Sequence, residues 1–243
     1  MFNVVIPARY ASTRLPGKPL LELAGKPMLQ WVFERANRSA ARQVIIATDD
    51  ERVAFVARGF NADVVLTHTD HASGTDRIAE VARLKGWPAD QVVVNLQGDE
   101  PLMPPVLIDQ VAELMTRYPT AQMATLCTGL ADNHAFLDPN IVKVVADHHE
   151  RALYFSRAPI PWDRDGRTHG AARRHIGLYA YRVQALLQIA DTPPSPLEQL
   201  EKLEQLRALE AGMDIRVAFA AALPGPDVNA PGDVARVEKL LRG

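Results

Sequence analysis

A single cysteine, Cys127, in 243 residues rules out an internal disulfide, and the absence of any C-x-x-C or His/Cys cluster removes the usual signals for structural zinc. No apolar run approaches the ~20 residues that span a bilayer, and no basic segment precedes an apolar one at the N-terminus. The expectation is a cytoplasmic protein, neither exported nor membrane-embedded. Charge of one sign is missing as well: 27 Lys and Arg stand against 29 Asp and Glu, a net charge of −2, so nucleic acid is not an expected partner. The common nucleotide signatures are also absent. Without G-x-x-x-x-G-K-[ST], and with no G-x-G-x-x-G after the first strand, P-loop ATP hydrolysis and dinucleotide redox chemistry fit poorly. There is no G-x-S-x-G elbow, and the seven histidines lack zinc-ligand spacing.

The chain does contain an alternation of short apolar strands and amphipathic helices. Strands are expected at Phe2 to Ile6, Val44 to Thr48, Val64 to Leu66 and Val92 to Leu96, with helices at Met28 to Ala36, Glu51 to Arg58, Thr75 to Leu84 and Val106 to Tyr118. Such βαβ units predict an α/β fold with a mostly parallel central sheet covered on both faces and ligands at the carboxyl ends of its strands. From Met123 the pattern loosens into strand-like runs at Met123 to Cys127, Val142 to Val145, Ile176 to Tyr181 and Ile215 to Phe219. These either extend the sheet as antiparallel strands or form a smaller antiparallel lobe over its edge. One domain is expected over residues 1–243, with a change of pattern between roughly 1–122 and 123–243. Ser195-Pro196-Leu197-Glu198 predicts a capped helix start, followed by Leu200, Leu203, Leu206 and Leu209 at a strict spacing of three that drifts around the axis.

Four segments could carry chemistry. Pro7 to Pro19 places Arg9, Arg14 and Lys18 just after the first strand. Read as scattered surface charge it is unremarkable in kind, but Pro7, Pro16 and Pro19 restrict the backbone around the cations and make a polyphosphate cradle the better reading. Gln97-Gly98-Asp99-Glu100-Pro101 follows the fourth strand on the same sheet edge, where an acidic pair suits Mg²⁺ shared with phosphate oxygens, or else caps the next helix. Ser73-Gly74-Thr75 opens a helix and offers hydroxyls and N–H groups to a base or ribose, though alone it is an ordinary N-cap. Further on, Arg157 suits a carboxylate, and His175 and Tyr179 could read hydroxyls.

Ala8-Arg9-Tyr-Ala-Ser-Thr-Arg14-Leu-Pro-Gly-Lys18-Pro, Asp70-His-Ala-Ser-Gly74-Thr-Asp-Arg77, Val94-Asn-Leu-Gln97-Gly-Asp99-Glu-Pro101, Pro139-Asn-Ile-Val-Lys-Val-Val145, Ala152-Leu-Tyr-Phe-Ser-Arg157, Arg174-His175-Ile-Gly-Leu-Tyr179 and the run from Ser195 through Glu204 and Gln205 together resemble the 3-deoxy-manno-octulosonate (Kdo) cytidylyltransferases, from residue 2 to about 241 in one register. The resemblance implies a three-layer nucleotidyltransferase fold, usually homodimeric, that moves CMP from CTP to the anomeric hydroxyl of Kdo for lipopolysaccharide synthesis. By position, Arg9, Arg14 and Lys18 would bind the triphosphate, Ser73, Gly74 and Thr75 would lie near the cytidine, and Asp99 would hold Mg²⁺. Gln97, Arg157, His175, Tyr179, Glu204 and Gln205 would line the Kdo pocket. Rival readings are a related acceptor, sialic acid or 8-amino-Kdo, and a non-catalytic homologue. One departure stands out. Where the family reads Pro-Gly-x-x-Val-Asp-Thr-Pro-x-Asp, with the first Asp a metal ligand, this chain reads Pro224-Gly-Pro-Asp227-Val-Asn229-Ala-Pro231-Gly-Asp233, leaving Asn229 in that place and Asp227 as a substitute.

Overall fold

The computed structural model describes residues 1–11, 15–165 and 171–242, so Arg14 lies outside the described residues. In chain order the strands are β1 (Phe2–Ala8), β2 (Glu22–Leu23), β3 (Lys26–Pro27), β4 (Gln43–Thr48), β5 (Asp63–Leu66), β6 (Val92–Asn95), β7 (Met123–Gly129), β8 (Lys143–Ala146), β9 (Ala152–Ser156), β10 (Arg173–Arg182) and β11 (Ile215–Phe219). The helices are α1 (Met28–Ala36), α2 (Glu51–Gly59), α3 (Gly74–Leu84), α4 (Pro105–Arg117), α5 (Asn133–Leu137), α6 (Val183–Asp191), α7 (Pro196–Glu201), α8 (Gln205–Glu210) and α9 (Pro231–Leu241).

The main sheet runs β11-β7-β10-β6-β1-β4-β5, with β8 and β9 branching from β10, while β2 and β3 form a separate two-stranded ribbon. β1 pairs in parallel with both β4 and β6, and β4 in parallel with β5. The chain therefore steps to one side of β1 and later to the other, which opens a crevice beyond its carboxyl end. Alternation along β1 divides the core. Val4 and Ile6 face α1 and α4 through residues such as Leu29, Leu107 and Val111, while Val5 faces α3 and α6 through Ile78, Val81 and Leu186. Helices on both faces give the expected three layers.

The second half resolves the alternatives left by its sequence. β10 inserts antiparallel between β6 and β7, and β11 pairs in parallel with β7, so these runs extend the sheet, and the antiparallel portion is β8, β9 and the start of β10. The helix expected to run through Leu209 is instead two. Ser195 does form its capping box with Glu198, but Lys202 adopts a left-handed conformation (φ 53°, ψ 46°) and ends α7. The break redirects the leucines: Leu200 is 79% exposed, whereas Leu203 is 6% and Leu206 0%. None of the described helices is long and apolar enough to cross a membrane.

Candidate active site

Three segments converge on the carboxyl end of β1 because glycines let their backbones approach. A Cβ on Gly98 would lie 3.0 Å from the Pro7 carbonyl oxygen, and one on Gly74 would lie 3.2 Å from the Pro7 ring. α3 is fixed there by Ser73, whose hydroxyl accepts from the Asp76 N–H (3.1 Å) while the Asp76 carboxylate accepts from the Ser73 N–H (3.0 Å). The C-terminal segment is threaded across the same edge. The Val228 N–H donates to the Asp99 carbonyl (3.0 Å), and a Cβ on Gly225 would meet Leu102 Cβ at 2.4 Å.

One cavity of about 380 Å³ opens between these segments, lined among others by Arg9, Lys18, Gln97, Gly98, Asp99 and Asn229. The first loop is folded by Gly17 (φ 71°), whose N–H donates to the Tyr10 carbonyl (3.0 Å), and by the Arg52 guanidinium stacked 3.5 Å over the Tyr10 ring. Lys18 Nζ then reaches Asp99 Oδ2 at 2.6 Å and Asn229 Oδ1 at 3.4 Å. Asp227 does not reach the cavity wall. Its carboxylate accepts from Asn229 Nδ2, which turns the Asn229 amide oxygen toward Lys18, and Asp233 holds the Asn229 N–H at 2.8 Å. Beside Asp99, burial first and then the charges of Asp99 and Asp227 push the Glu100 carboxyl up to about 8; its Oε2 is sealed from solvent and unpartnered among the described residues.

Asp99 and Asn229 present one carboxylate and one amide oxygen that already hold a cation, the Lys18 ammonium. That donor set fits a hard ion that keeps sites for phosphate oxygens. Among the described residues no group of three or more His, Cys, Asp or Glu side chains gathers to form an all-protein cage.

A second cavity of about 200 Å³ lies on the α3 side of the sheet, lined by Gly74, Thr75, Asn95, Gln97, Met123, Gly177, Tyr179, Tyr181, Ile189, Glu204 and Gln205. β10 is irregular between Ile176 and Tyr179, and past that point Tyr179 and Tyr181, two apart, present their rings on one face, with Tyr179 opposite Asn95. The Tyr179 hydroxyl and Gln205 Nε2 are buried without hydrogen-bond partners among the described residues. Burial raises the pKa of Tyr179, Tyr181 and Glu204, and Glu204 accepts a short hydrogen bond from the Thr75 hydroxyl.

The two cavities share Gln97. Its Nε2 donates to Asn95 Oδ1 (3.0 Å), which fixes the amide at the junction. Ser73 lines a small third recess of about 60 Å³ with Arg9, Gly74, Arg77 and Gln97.

The structure thus brings Arg9, Lys18, Asp99, Gln97 and Asn229 together, and separately Gly74, Thr75, Tyr179, Glu204 and Gln205. Thr75, expected near a base, donates its hydroxyl to Glu204. Two expected acceptor residues stand off the cavity wall. The Arg157 guanidinium is committed to backbone carbonyls, Nε to Glu201 (2.7 Å) and Nη1 to Pro139 (2.9 Å), and its own carbonyl accepts from the buried Lys143 (2.7 Å). His175 sits behind Tyr179 with ring centroids 5.2 Å apart, 3.1 Å from the Thr125 hydroxyl, and burial lowers its pKa to about 3. Burial there favours its neutral form. Sequence reasoning missed Asn95 and Tyr181; a polar Asn closing the apolar run Val92-Val93-Val94 and a second Tyr two residues after Tyr179 were the available signals.

Residues 3–215 match the family model described as Cytidylyltransferase. The 3-deoxy-manno-octulosonate cytidylyltransferase of Thioalkalivibrio sulfidiphilus is 60% identical, with 99% of each chain covered, and that of Chromohalobacter salexigens is 54% identical over 98% of this chain and 95% of the relative. The chain belongs to the 3-deoxy-manno-octulosonate cytidylyltransferase family. A solved structure of a CMP:2-keto-3-deoxy-manno-octonic acid synthetase complexed with CTP superposes with a TM-score of 0.92 at 43% identity, covering 99% of this chain and 98% of that one. A cytidylyltransferase from Leptospira borgpetersenii, at 15% identity and a TM-score of 0.57 over 94% of this chain and 78% of the other, shares the fold. Membership gives the two-cavity arrangement a nucleotidyltransferase context that neither cavity has alone.

Proposed function

We propose that this chain transfers CMP from CTP to the anomeric hydroxyl of Kdo, giving CMP-Kdo and pyrophosphate. The observation that carries the reading is the meeting of two unlike cavities at Gln97, one with cations and a carboxylate, the other walled by buried Tyr, Gln and Glu side chains. Transfer to phosphorus needs positioning and charge neutralisation more than a covalent nucleophile. Arg9 and Lys18 neutralise the departing pyrophosphate, with Arg14 of the same loop proposed to join them. Ser73 and the start of α3 border the nucleotide. Tyr179, Gln205, Glu204 and Thr75 fix the sugar acid through its hydroxyls, and Gln97, held by Asn95, orients the attacking hydroxyl toward the first cavity.

Asp99 and Asn229 would hold Mg²⁺. Bound there, the ion would supply positive charge to the α-phosphate oxygens. Further elements of the proposal are a homodimer covering apolar side chains left exposed in the second half, such as Leu153, Trp162 and Leu200, and a cytoplasmic role in supplying CMP-Kdo for lipopolysaccharide synthesis.

The test is pyrophosphate release, with CMP-sugar identified by mass, on mixing the protein with CTP, Mg²⁺ and either Kdo, 8-amino-Kdo or sialic acid. Release with Kdo at the highest kcat/KM is expected. A preference for another acid would reassign the second cavity, and no release with any of them would make the chain a binding homologue.

A further inference from the structure

Lys18 Nζ lies 2.6 Å from Asp99 Oδ2 and 3.4 Å from Asn229 Oδ1, between the same two oxygens assigned above to a divalent ion. Magnesium takes such oxygens at about 2.0–2.1 Å. An ion at that distance and an ammonium in the present position would be two cations in near contact, strongly repulsive at short range in a partly desolvated site. The place holds one of them at a time.

The surroundings say which partner moves. The Asp99 backbone is tied through its carbonyl to the Val228 N–H at 3.0 Å, and Asn229 is held at its backbone N–H by Asp233 and at its side-chain amide by Asp227, so the segments that carry the two oxygens are fixed. The Lys18 backbone is equally fixed, between left-handed Gly17 and buried Pro19, with its N–H donating to the Leu15 carbonyl at 3.1 Å. Only the four-carbon stem is free to turn, and it turns within a 380 Å³ cavity that also contains Arg9.

We propose that Lys18 is an internal counter-cation that a divalent ion displaces, so that binding the ion frees the ammonium for the phosphate oxygens of the nucleotide. The release of Lys18 is thereby coupled to loading of the metal site. The inference rests on the assignment of Asp99 and Asn229 to the ion. It differs from a fixed structural bridge, in which Lys18 would fasten the first loop to the C-terminal segment whether or not the ion is bound.

The experiment titrates Mn²⁺ into protein without nucleotide, reading free Mn²⁺ by electron paramagnetic resonance, for wild type, Lys18→Met, Arg9→Gln and Asp99→Asn. Lys18→Met should bind Mn²⁺ about tenfold tighter, because a competitor has left the site, while Arg9→Gln should gain only about twofold from the through-space charge. Lys18→Met binding no tighter than Arg9→Gln overturns displacement. Asp99→Asn should lose most of the binding; if it does not, the assignment of the metal site itself fails and the inference with it. Independently of any variant's folding, the ¹⁵N resonance of the wild-type Lys18 ammonium should shift as Mg²⁺ is added, tracking the same saturation. A resonance unmoved at saturating Mg²⁺ would leave Lys18 as a structural bridge.

Discussion

The cavity under the first loop and the cavity beside Tyr179 share Gln97 but are built on opposite plans. The first is made of loops after β1 and β6 and the segment before α9, and its working groups carry charge: Arg9, Lys18 and Asp99. The second is made of strands and helix starts, burial raises the pKa of its Glu204 carboxyl, and the Tyr179 hydroxyl and Gln205 amide are unpartnered among the described residues. Binding a polyphosphate is a matter of total charge at short range, which cations on a proline-bounded loop can supply. Recognising one sugar acid among many requires donors whose positions do not adjust, and a wrong acceptor that leaves such buried donors unpaired binds at a cost the right one does not carry.

The sharpest way to break this contrast is to remove charge from the first cavity. Asp99→Asn should lower kcat by about a hundredfold or more while circular dichroism and Tm stay near wild type. Steady-state kinetics within about threefold of wild type would take Asp99 out of the mechanism.

A second difference is the sign of the pH dependence of stability, measured by denaturant unfolding in the presence of a chelator. The Glu100 carboxyl is raised to about 8 in the fold, so the folded state holds a proton that the unfolded chain releases above the ordinary Glu value of 4.5. Its contribution is fully present below that value and is lost as pH rises toward 8. His175 is lowered to about 3 from 6.5, so the unfolded chain binds the extra proton and stability is lost as pH falls from 6.5 toward 3. Glu100→Gln should flatten the upper limb only, and His175→Gln the lower limb only. Both limbs changing in either variant would mean the two regions do not titrate separately.

A smaller effect sharpens the reading of the second cavity. Tyr179→Phe removes a buried hydroxyl with no hydrogen-bond partner among the described residues, so the free protein should gain about 1 kcal/mol of stability even as it loses affinity for the sugar acid. A loss of stability would mean the hydroxyl is already satisfied. Smallest of all, Asn229→Asp should lower the half-saturating Mg²⁺ a few-fold by adding the negative charge the amide lacks, read from an activity titration. The opposed variant, Asp227→Asn, still supports the Asn229 amide and should shift that titration less than Asn229→Asp does.

The first cavity was far easier to see in the sequence than the second. Arg9, Lys18 and the Gln97-Gly98-Asp99 run each follow a strand directly, so finding the strands places them on one edge, and β1, β4 and β6 were legible as Val- and Ile-rich runs. The second cavity draws on six elements between Gly74 and Gln205, and no local pattern reports that Thr75 and Glu204, 129 positions apart, bond one another. Arg157 shows the limit from the other side: guanidinium chemistry suits a carboxylate, but no local pattern reports that in the free protein it donates to the carbonyls of Pro139 and Glu201. The break at Lys202 was equally invisible, since Lys is a good helix former and only the burial of Leu203 and Leu206 on a new axis favours the turn.

The division of labour between the cavities is tested most directly by measuring CTP and Kdo affinity separately, by calorimetry, in wild type, Arg9→Gln and Tyr179→Phe. The account predicts a crossed result: Arg9→Gln weakens CTP about tenfold and leaves Kdo within about twofold, and Tyr179→Phe does the reverse. If Tyr179→Phe weakens CTP while sparing Kdo, or if Arg9→Gln weakens Kdo while sparing CTP, the assignment of one substrate to each cavity is wrong.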